Sequence, residues 1–366
     1  MYWISNLILL LMFLPISASL IFMPYFTRDT VSFGISVSTD MYYSEPLRAL
    51  RKRYVFLSSI LYTLLLLFCL VGSSLSDAIQ QEMIIGISVI SLVVISMIMN
   101  LIFYYKMKKY KSEHPIASLP KSTILAVDTG FRRNKLIFSN KWFIIHFLIT
   151  ILSAILALQY YNQFPETLAM KFDFQGNVTS SVAKSYTSVL GLNLMQFVMT
   201  CLFMFINVTI LQSKQQLSSD HPENSIKQNT AFRRRSSLFI IITGLLMVLL
   251  FSFIQLNMLF ELNVQILSLV SFLITAIIII GALVLAFTTG QGGSRIGKPS
   301  MGSSTQPIND DSHWKLGGIY YNPQDPSIWI EKRMGIGWTV NFARPMAWII
   351  LLATTAIIIV VSLFIS

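Results

Sequence analysis

Few residues in this chain have types and spacings suited to chemistry. His146 is the one histidine inside a long apolar run, where a lone histidine is more often a hydrogen-bonding residue than a proton relay. His114, His221 and His313 lie in separate polar segments without the spacing of a zinc site. No HExxH or related protease pattern occurs. The sequence therefore predicts a protein that is not an enzyme, with no catalytic residue, no metal site and no cofactor.

Two amide side chains within one apolar run form a second candidate group. Asn193 and Gln196 are three residues apart, so they share one face of a helix. Other amides inside apolar runs are Asn100, Asn207 and Gln255. Amides in such positions usually bond a neighbouring helix. The alternative interpretation is that Asn193 and Gln196 line the path of a ligand.

A third candidate is the polar segment FPETLAMKFDFQGNVTSSVAKS at 164–185, which lies between two apolar runs. Lys171 and Asp173 flank Phe172 in a short alternating pattern that is typical of a strand. Gly176 and Asn177 predict a reverse turn. The other connections expected on the same side of the membrane are short. Segment 164–185 is therefore the one connection on that side of the membrane that is large enough to bind a partner.

Long apolar helices must position these residues. Of the 366 residues, 54% are hydrophobic and 12% are charged, whereas a soluble domain has about 25% charged residues. Eight long runs contain no Asp, Glu, Lys or Arg: 3–24, 55–75, 83–105, 142–161, 188–212, 237–256, 264–288 and 346–365. Such runs cross a bilayer as helices, because lipid offers no hydrogen-bond partner to the backbone. The expected fold class is an all-α integral membrane protein with about eight transmembrane helices.

Lys and Arg residues are distributed unevenly among the connections between these runs. If the N-terminus lies outside, the inside connections are 25–54, 106–141, 213–236 and 289–345, and they hold 25 of the 27 Lys and Arg residues. Basic residues favour the cytoplasmic side, so this topology is predicted. The net charge of +11 then reflects insertion into the lipid bilayer and contact with it. It does not indicate a nucleic-acid partner, for which no motif is visible.

The inside connections contain short strand-like segments and basic boundaries. Residues 31–37 and 122–127 are predicted strands. The segments DTGFRRNKLIF at 128–138 and NTAFRRRSSLF at 229–239 are alike. The pattern is typical of an interfacial anchor, with the Phe in the headgroup region and the Arg side chains on phosphates. An internal duplication is the alternative.

The last connection divides into a tether and a small aromatic module. TGQGGSRIGKPSMGSSTQPINDD at 289–311 is rich in Gly and Ser, which predicts a flexible tether. The following residues, 313–345, predict two or three short strands joined by tight turns. A sheet this small is not stable alone. We therefore expect this β-rich module to lean on the membrane interface or on the other inside connections.

The segment 164–185 resembles the extracytoplasmic segment of SdpI-type immunity proteins and their bacterial relatives. Pro165, Glu166, Phe172, Asp173, Gly176 and Lys184 match that pattern, and Lys171 stands where the family usually has a histidine. The resemblance implies a ligand or partner surface. Its candidate contacts are Pro165, Glu166, Lys171, Phe172, Asp173, Gly176 and Lys184.

The C-terminal module resembles a small domain of unknown function that is often fused to such proteins. The residues that match it are Asn322, Asp325, Lys332, Arg333, Gly335, Gly337 and Asn341. Together the two resemblances imply a multi-pass protein of a bacterial cell membrane. They also imply a non-catalytic receptor or immunity factor with a secreted peptide and a cytoplasmic regulator as partners.

Two other functions fit parts of the sequence. A transporter or permease of unknown substrate would use Asn193, Gln196 and Asn207 to line its path. A membrane enzyme would use Asp and His residues of the inside connections on a lipid headgroup. The absence of charge from the apolar runs argues against ion coupling, and the scatter of Asp and His argues against the enzyme.

Five regions are expected along the chain. They are three spans with two basic connections at 1–141, an SdpI-like unit with the loop 162–187 at 142–212, two spans at 213–290, the tether and module at 291–345, and the last span at 346–366. The first run is expected to be a retained span, because it lacks the charged start of a signal peptide.

Overall fold

The structure is a computed structural model that describes residues 2–114, 135–172, 177–215, 222–261, 263–297 and 310–365. The α-helices in these ranges are α1 Tyr2–Ile21, α2 Met23–Phe26, α3 Thr39–Tyr43, α4 Glu45–Leu75, α5 Ala78–Glu113, α6 Ile144–Gln159, α7 Tyr186–Gln212, α8 Pro222–Phe260, α9 Val264–Thr289 and α10 Pro345–Ile365. The predicted strand at 122–127 lies outside the described residues, and so do Asp173, Gly176 and His221.

Helices α4 to α9 are the membrane-spanning candidates of this fold. Within the described residues, these six are long and apolar enough to cross a bilayer. The sequence predicts eight spans. The first and last apolar runs are also helical, but their described apolar stretches, Asn6–Ile21 and Pro345–Val360, are shorter. By the length and composition of its helices, the chain is a multi-pass membrane protein.

Local sequence signals account for several helix ends. Asp77 precedes α5, and its side chain accepts a hydrogen bond from the backbone N–H of Gln80 at 2.9 Å. Ser185 and Ser188 form a reciprocal capping box at the start of α7. Gly290 follows the last residue of α9, and its φ of 65° is a positive value that glycine adopts at low cost. These caps satisfy backbone groups that a helix end otherwise leaves unpaired.

The described strands form four antiparallel pairs. They are β1 Val31–Ser32 with β2 Ile35–Ser36, β3 Thr167–Phe172 with β4 Val178–Ala183, β5 Trp314–Lys315 with β6 Ile319–Tyr320, and β7 Trp329–Glu331 with β8 Trp338–Val340. The strand prediction for 31–37 is confirmed as a hairpin. The last four strands build the β-rich module, where a bridge between Tyr320 and Asn341 joins the two hairpins. Two or three strands were expected there, and the structure has four.

The bundle has two different ends. The β3–β4 hairpin links the end of α6 to the start of α7, and we call this the hairpin end. The C-terminal module, residues 310–344, contacts Lys214 beyond the end of α7 and Asn229 near the start of α8. We call this the module end. The 27 residues of α7 therefore separate the two ends by about 40 Å, at a rise of 1.5 Å per residue.

The β1–β2 hairpin also lies at the module end. Its Phe33 ring is buried against Tyr54 of α4 and Phe103 of α5, with ring centroids 5.5 and 5.2 Å apart. The module was expected to lean on the membrane interface or on the other inside connections. It contacts the β1–β2 hairpin, because Arg333 donates a hydrogen bond to the backbone carbonyl of Gly34 at 2.9 Å.

The interfacial-anchor interpretation is wrong for two residues of the segment 229–239. Phe232 and Arg233 are both fully buried, and the Phe232 ring stacks on Trp338 of the module at 4.9 Å. A buried guanidinium cannot reach a lipid phosphate. Arg234, by contrast, is exposed and lies over the Phe138 ring. The Phe-Arg-Arg pattern of the sequence does not reveal that the C-terminal module covers this part of α8.

Candidate functional site

Glu331 is the centre of a buried ionic cluster at the module end. It ends β7 with a side chain that is 0% exposed. One carboxylate oxygen accepts a hydrogen bond from Asn229 Nδ2 at 2.7 Å, and the other pairs with Arg28. The guanidinium of Arg233 lies 3.9 Å away. We call Arg28, Asn229, Arg233 and Glu331 the Glu331 centre. Burying these charges is tolerable only because each of them has partners.

Arg233 joins this centre to the end of α7. Its Nε donates to Asn229 Oδ1 at 2.7 Å. Its terminal nitrogens donate to the carbonyl oxygens of Ile210 at 2.7 Å and Ser213 at 3.0 Å. These carbonyls belong to the last turn of α7 and the residue after it, where a cation is favoured by the helix dipole. One buried side chain therefore holds the end of α7 beside the start of α8.

Arg333 forms a second ionic cluster with segments that are far apart in the sequence. It donates to Ser36 Oγ at 2.9 Å and to Asp311 at 2.5 Å, and it pairs with Asp310. Lys111, near the end of α5, donates to the other oxygen of Asp311 at 2.7 Å. Burial raises the pKa of Asp311, but the bonds from Lys111 and Arg333 outweigh it, so the net pKa lies below its usual range.

Asp325, Asn322 and Asn341 meet inside the module. The carboxylate of Asp325 accepts hydrogen bonds from Lys214 Nζ at 2.7 Å and Tyr320 Oη at 2.9 Å. The amide of Asn341 donates to the carbonyls of Asn322 at 2.9 Å and Asp325 at 3.1 Å. Burial acts to raise the pKa of Asp325, but hydrogen bonds from Lys214, Ser327 and Tyr320 to its carboxylate lower it to about 2.

The remaining module residues singled out by sequence have separate positions. The backbone N–H of Gly337 donates to Gln291 Oε1 at 2.8 Å, and Gln291 Nε2 returns a bond to the Gly337 carbonyl at 3.0 Å. Gly335 and Gly337 have φ of 73° and 108°, values that a side chain disfavours. Lys332 is exposed and next to the buried Glu331. Of the module candidates, Arg333, Asp325 and Gly337 therefore lie in three different contacts, and Lys332 is exposed to solvent.

A second buried polar group lies between α6, α7 and α8, nearer the hairpin end. Asn193 and Gln255 exchange reciprocal amide hydrogen bonds of 3.1 and 2.7 Å. Asn193 also donates to Gln196 Oε1 at 3.1 Å, and Gln196 donates to Ser252 Oγ at 2.8 Å. Ser153 of α6 donates to Gln255. We call these five residues the amide cluster. Its amides bond across helices, in the way expected for polar groups in a membrane.

A third polar contact lies between the amide cluster and the Glu331 centre. Asn207 of α7 donates to Asn140 Oδ1 at 2.7 Å and accepts from Ser237 of α8 at 2.6 Å. Asn193, Gln196 and Asn207 therefore share one buried face of α7. Helix α8 contributes buried residues to all three polar groups, from Asn229 in the Glu331 centre to Gln255 in the amide cluster.

His146 is buried at the α6–α8 contact. Its Nε2 lies 3.0 Å from the carbonyl oxygen of Ile241, and the ring is 4.9 Å from Phe143. Gly244 leaves room for the ring, since a Cβ there would lie 3.0 Å from Nε2. This environment suits the hydrogen-bonding role expected from the sequence.

Apolar packing holds the β3–β4 hairpin on the bundle. Leu168 is fully buried, and it clusters with Phe164, Val189 of α7 and Leu259 of α8. Lys184 donates to the Phe164 carbonyl at 3.0 Å and pairs with Glu166, whose side chain is 89% exposed.

The candidate contacts of the hairpin are partly brought together. Pro165 and Glu166 lie next to Lys184 at the base. Lys171 and Phe172 lie farther along β3, and Lys171 is exposed. The strand expected around Lys171 and Phe172 is present, with Phe172 opposite Val178.

A cavity lies beneath the hairpin, between α6 and α8. Its volume is about 180 Å³, and its lining includes Ser153, Phe164, Gln255 and Leu259. The cavity touches the amide cluster through Ser153 and Gln255, and it touches the hairpin packing through Phe164 and Leu259. A change in the packing of the hairpin could therefore alter the shape of this cavity and the contacts of the amide cluster.

Sequence reasoning missed the Glu331 centre and its partners. Glu331 was a charge in the aromatic strand SIWIEKR, and a charge in a short alternating strand is usually placed towards solvent. Arg28 stood in the inside connection 25–54, and Asn229 stood in a segment interpreted as an interfacial anchor. These residues meet because the module packs on α8. A contact between distant segments leaves no local pattern in the sequence.

In the part of the chain that the structure describes, no group of three or more His, Cys, Asp or Glu is placed to hold a metal ion. The Glu331 carboxylate is closed off from solvent and neutralised by its partners.

One part of the chain matches a known protein family. Residues 323–348 match a protein family of unknown function, DUF5808. The matched stretch covers β7, β8 and the start of α10, and it includes Glu331 and Arg333. No curated protein and no solved structure matches the chain. The expectation of a small C-terminal domain of unknown function is thereby confirmed.

Proposed function

We propose that the chain is a non-catalytic receptor or immunity factor of a bacterial cell membrane. In this proposal eight helices cross the bilayer, the β3–β4 hairpin faces outside, and the module faces the cytoplasm. The hairpin binds a secreted peptide, and the module docks a cytoplasmic regulator. The SdpI-like residues of the hairpin support this reading.

One observation carries the proposal. Helices α7 and α8 contact the hairpin through Val189 and Leu259 at one end, and they hold the Glu331 centre at the other. Buried polar contacts join the same two helices in between, at the amide cluster and at Asn207. A change in helix spacing at the hairpin would therefore act on the contacts that hold the module.

The hairpin offers a mode of peptide recognition. In the described residues β3 and β4 form a sheet of two strands. A two-stranded sheet has edges to which an extended peptide can add by main-chain hydrogen bonds. Lys171 and Val178 are exposed on this hairpin, so charged and apolar side chains are both available for selectivity.

The transporter alternative is less well supported. A polar path needs groups that can bind a passing solute. Asn193, Gln196 and Gln255 instead use their amides on one another and on neighbouring helices. That arrangement is what a packed interface requires.

Sensitivity to peptides tests the receptor proposal. The full chain is expressed in a peptide-sensitive bacterial host, and inhibitory concentrations are measured for a panel of cationic and amphipathic antimicrobial peptides. We expect protection against at least one amphipathic peptide whose acidic side chains pair with Lys171, and loss of that protection in Lys171→Glu. Lys227→Glu, an equal charge change on exposed α8 at the module end, is the matched control and should keep the protection. Unchanged sensitivity across the panel would contradict the proposal.

A further inference from the structure

Two hairpin tips at the module end touch back to back. In β1–β2 the tip is Phe33–Gly34, and in β5–β6 it contains Leu316–Gly317. A Cβ on Gly34 would lie 2.5 Å from the Cα of Gly317, so neither glycine can carry a side chain at this contact. The contact fixes the β5–β6 tip beside the β1–β2 tip.

The tips share an unusual backbone feature. Phe33 and Leu316 have φ of 47° and 52°, and the glycine that follows each has a positive φ as well. Two successive positive φ values are the pattern of a type I′ turn, whose first position favours Asn, Asp or Gly. A large apolar residue in the left-handed region is strained. Each tip therefore carries an apolar side chain at a conformational cost.

The cost at Phe33 has a visible compensation. Its ring is 1% exposed and packs between Tyr54 and Phe103. Leu316 is different, because it is 48% exposed in the protein, and Ile319 across the same turn is 44% exposed. Nothing in the described part of the chain covers these two side chains to a comparable degree.

The β5–β6 tip lies level with the ends of the apolar runs. A Cβ on Gly317 would lie 2.8 Å from the Tyr104 ring, and Tyr104 is one residue from the end of the apolar run 83–105. Exposed Tyr105 is next to Tyr104 on α5, exposed Trp142 lies just before the start of α6, and exposed Trp348 lies in the first turn of α10. Exposed aromatic residues at helix ends mark the interface between lipid and water.

The exposed end of α5 has the charge that a lipid surface attracts. Lys106 and Lys108 follow Tyr105 on exposed positions, and Lys315 is exposed at the base of the tip. Cations just beyond an apolar span favour anionic headgroups.

We propose that the β5–β6 tip inserts Leu316 and Ile319 into the headgroup–acyl boundary of the bilayer, and so anchors the C-terminal module to the membrane surface. Lipid then covers Leu316 as Tyr54 and Phe103 cover Phe33. The anchor goes beyond the receptor proposal, and it holds whichever molecule the hairpin end binds.

Depth-dependent quenching of a fluorescent label tests the anchor. The full chain, with Cys69 and Cys201 replaced by Ala, is placed in nanodiscs of phosphatidylcholine and phosphatidylglycerol. One label is attached at Gly318→Cys, because a Cβ there meets nothing within 4 Å. The control label is attached at Ser312→Cys, which is exposed and next to Asp311 at the level of Lys111. Lys111 is seven residues beyond Tyr104 on α5, about 10 Å farther from the apolar run.

We expect lipids with a quencher near the top of the acyl chain to quench the label at 318 more than the label at 312. Iodide in the buffer should show the opposite order. Equal iodide quenching at the two sites would overturn the proposal.

The variant Leu316→Asn separates lipid contact from folding. Asn suits the first position of a type I′ turn better than Leu, so the hairpin itself should not be weakened. We expect Leu316→Asn to move the label at 318 towards iodide and to leave the label at 312 unchanged. Leu316→Phe should keep the label shielded. If Leu316→Asn leaves the label at 318 in lipid, Leu316 is not the anchor and the proposal is wrong.

Discussion

The two ends of the bundle are held by different forces. At the hairpin end, Leu168 and Leu259 pack by apolar contact, and the Glu166–Lys184 ion pair is open to solvent. At the module end, Glu331 and Arg233 are closed off from solvent and depend on each other's charge. Apolar contacts tolerate substitutions that conserve volume, whereas a buried charge tolerates no loss of its partner. In the receptor that we propose, the hairpin end is the adaptable binding surface and the module end is the fixed dock.

The largest expected effect is at the module end. Glu331→Gln keeps the size of the side chain but removes the counter-charge of Arg28 and Arg233. Loss of one partner of a buried ion pair costs about 3–5 kcal/mol. Thermal unfolding of the full chain in nanodiscs should show this destabilisation. Lys332→Gln, a neutralisation of the exposed neighbour, should leave the transition unchanged. Similar behaviour of the two variants would contradict the account of the Glu331 centre.

At the hairpin end, the response should follow side-chain volume instead of charge. Leu168→Ala removes a fully buried leucine, and such changes cost about 2–5 kcal/mol, depending on how far the site relaxes. Leu168→Val should cost less. Local stability can be measured by hydrogen exchange of the β3–β4 amides. Thr167→Ala at the exposed neighbouring position is the control. If Val and Ala had the same effect, apolar packing would not be the main force here.

The amide cluster should show a smaller effect. Asn193 and Gln255 bond reciprocally across α7 and α8, and such contacts in membranes contribute about 0.6–1.7 kcal/mol. A double-mutant cycle of Asn193→Ala and Gln255→Ala measures their coupling energy. Asn193→Ala combined with Asn207→Ala is the control, because those two residues bond different partners. Additive effects for Asn193 and Gln255 would show that the pair does not hold α7 to α8.

The pH dependence of the module is confined to strongly acidic solution. Asp325 has a folded pKa of about 2, below its ordinary value of 3.8. Its contribution to stability is therefore fully present above pH 3.8 and is lost as the pH falls towards 2. Protease sensitivity of residues 310–344 should rise over that interval. In Asp325→Asn this pH-dependent rise should be weaker. An equal rise in both proteins would assign the acid response to other groups.

The sequence is most informative where physics is local. Membrane helices, the polar hairpin and the shared face of Asn193 and Gln196 follow from apolar length, turn residues and helical spacing. Phe33, Arg233 and Glu331 were beyond such reasoning. Their burial depends on contacts between segments that are as far apart as Arg28 and Glu331 in the chain. A buried and an exposed arginine, such as Arg233 and Arg234, look the same in one sequence.

The same limit applies to the candidate site. The resemblance pointed to Lys332 and Arg333 together, but the structure exposes the first and buries the second among Ser36, Asp310 and Asp311. Successive side chains of an extended segment point to opposite faces, so one of these two neighbours is buried and the other is exposed. The sequence alone does not show which face of the module is buried.

Hydrogen exchange at the hairpin in Glu331→Gln tests the central claim most directly. If α7 and α8 couple the two ends, the coupling is reciprocal, so a change at the Glu331 centre must alter the hairpin. We expect faster exchange of the amides at 167–172 and 178–183 in Glu331→Gln than in Lys332→Gln, with both chains folded in nanodiscs. Identical exchange at these positions in the two variants would show that the ends are independent, and the receptor mechanism would then be wrong.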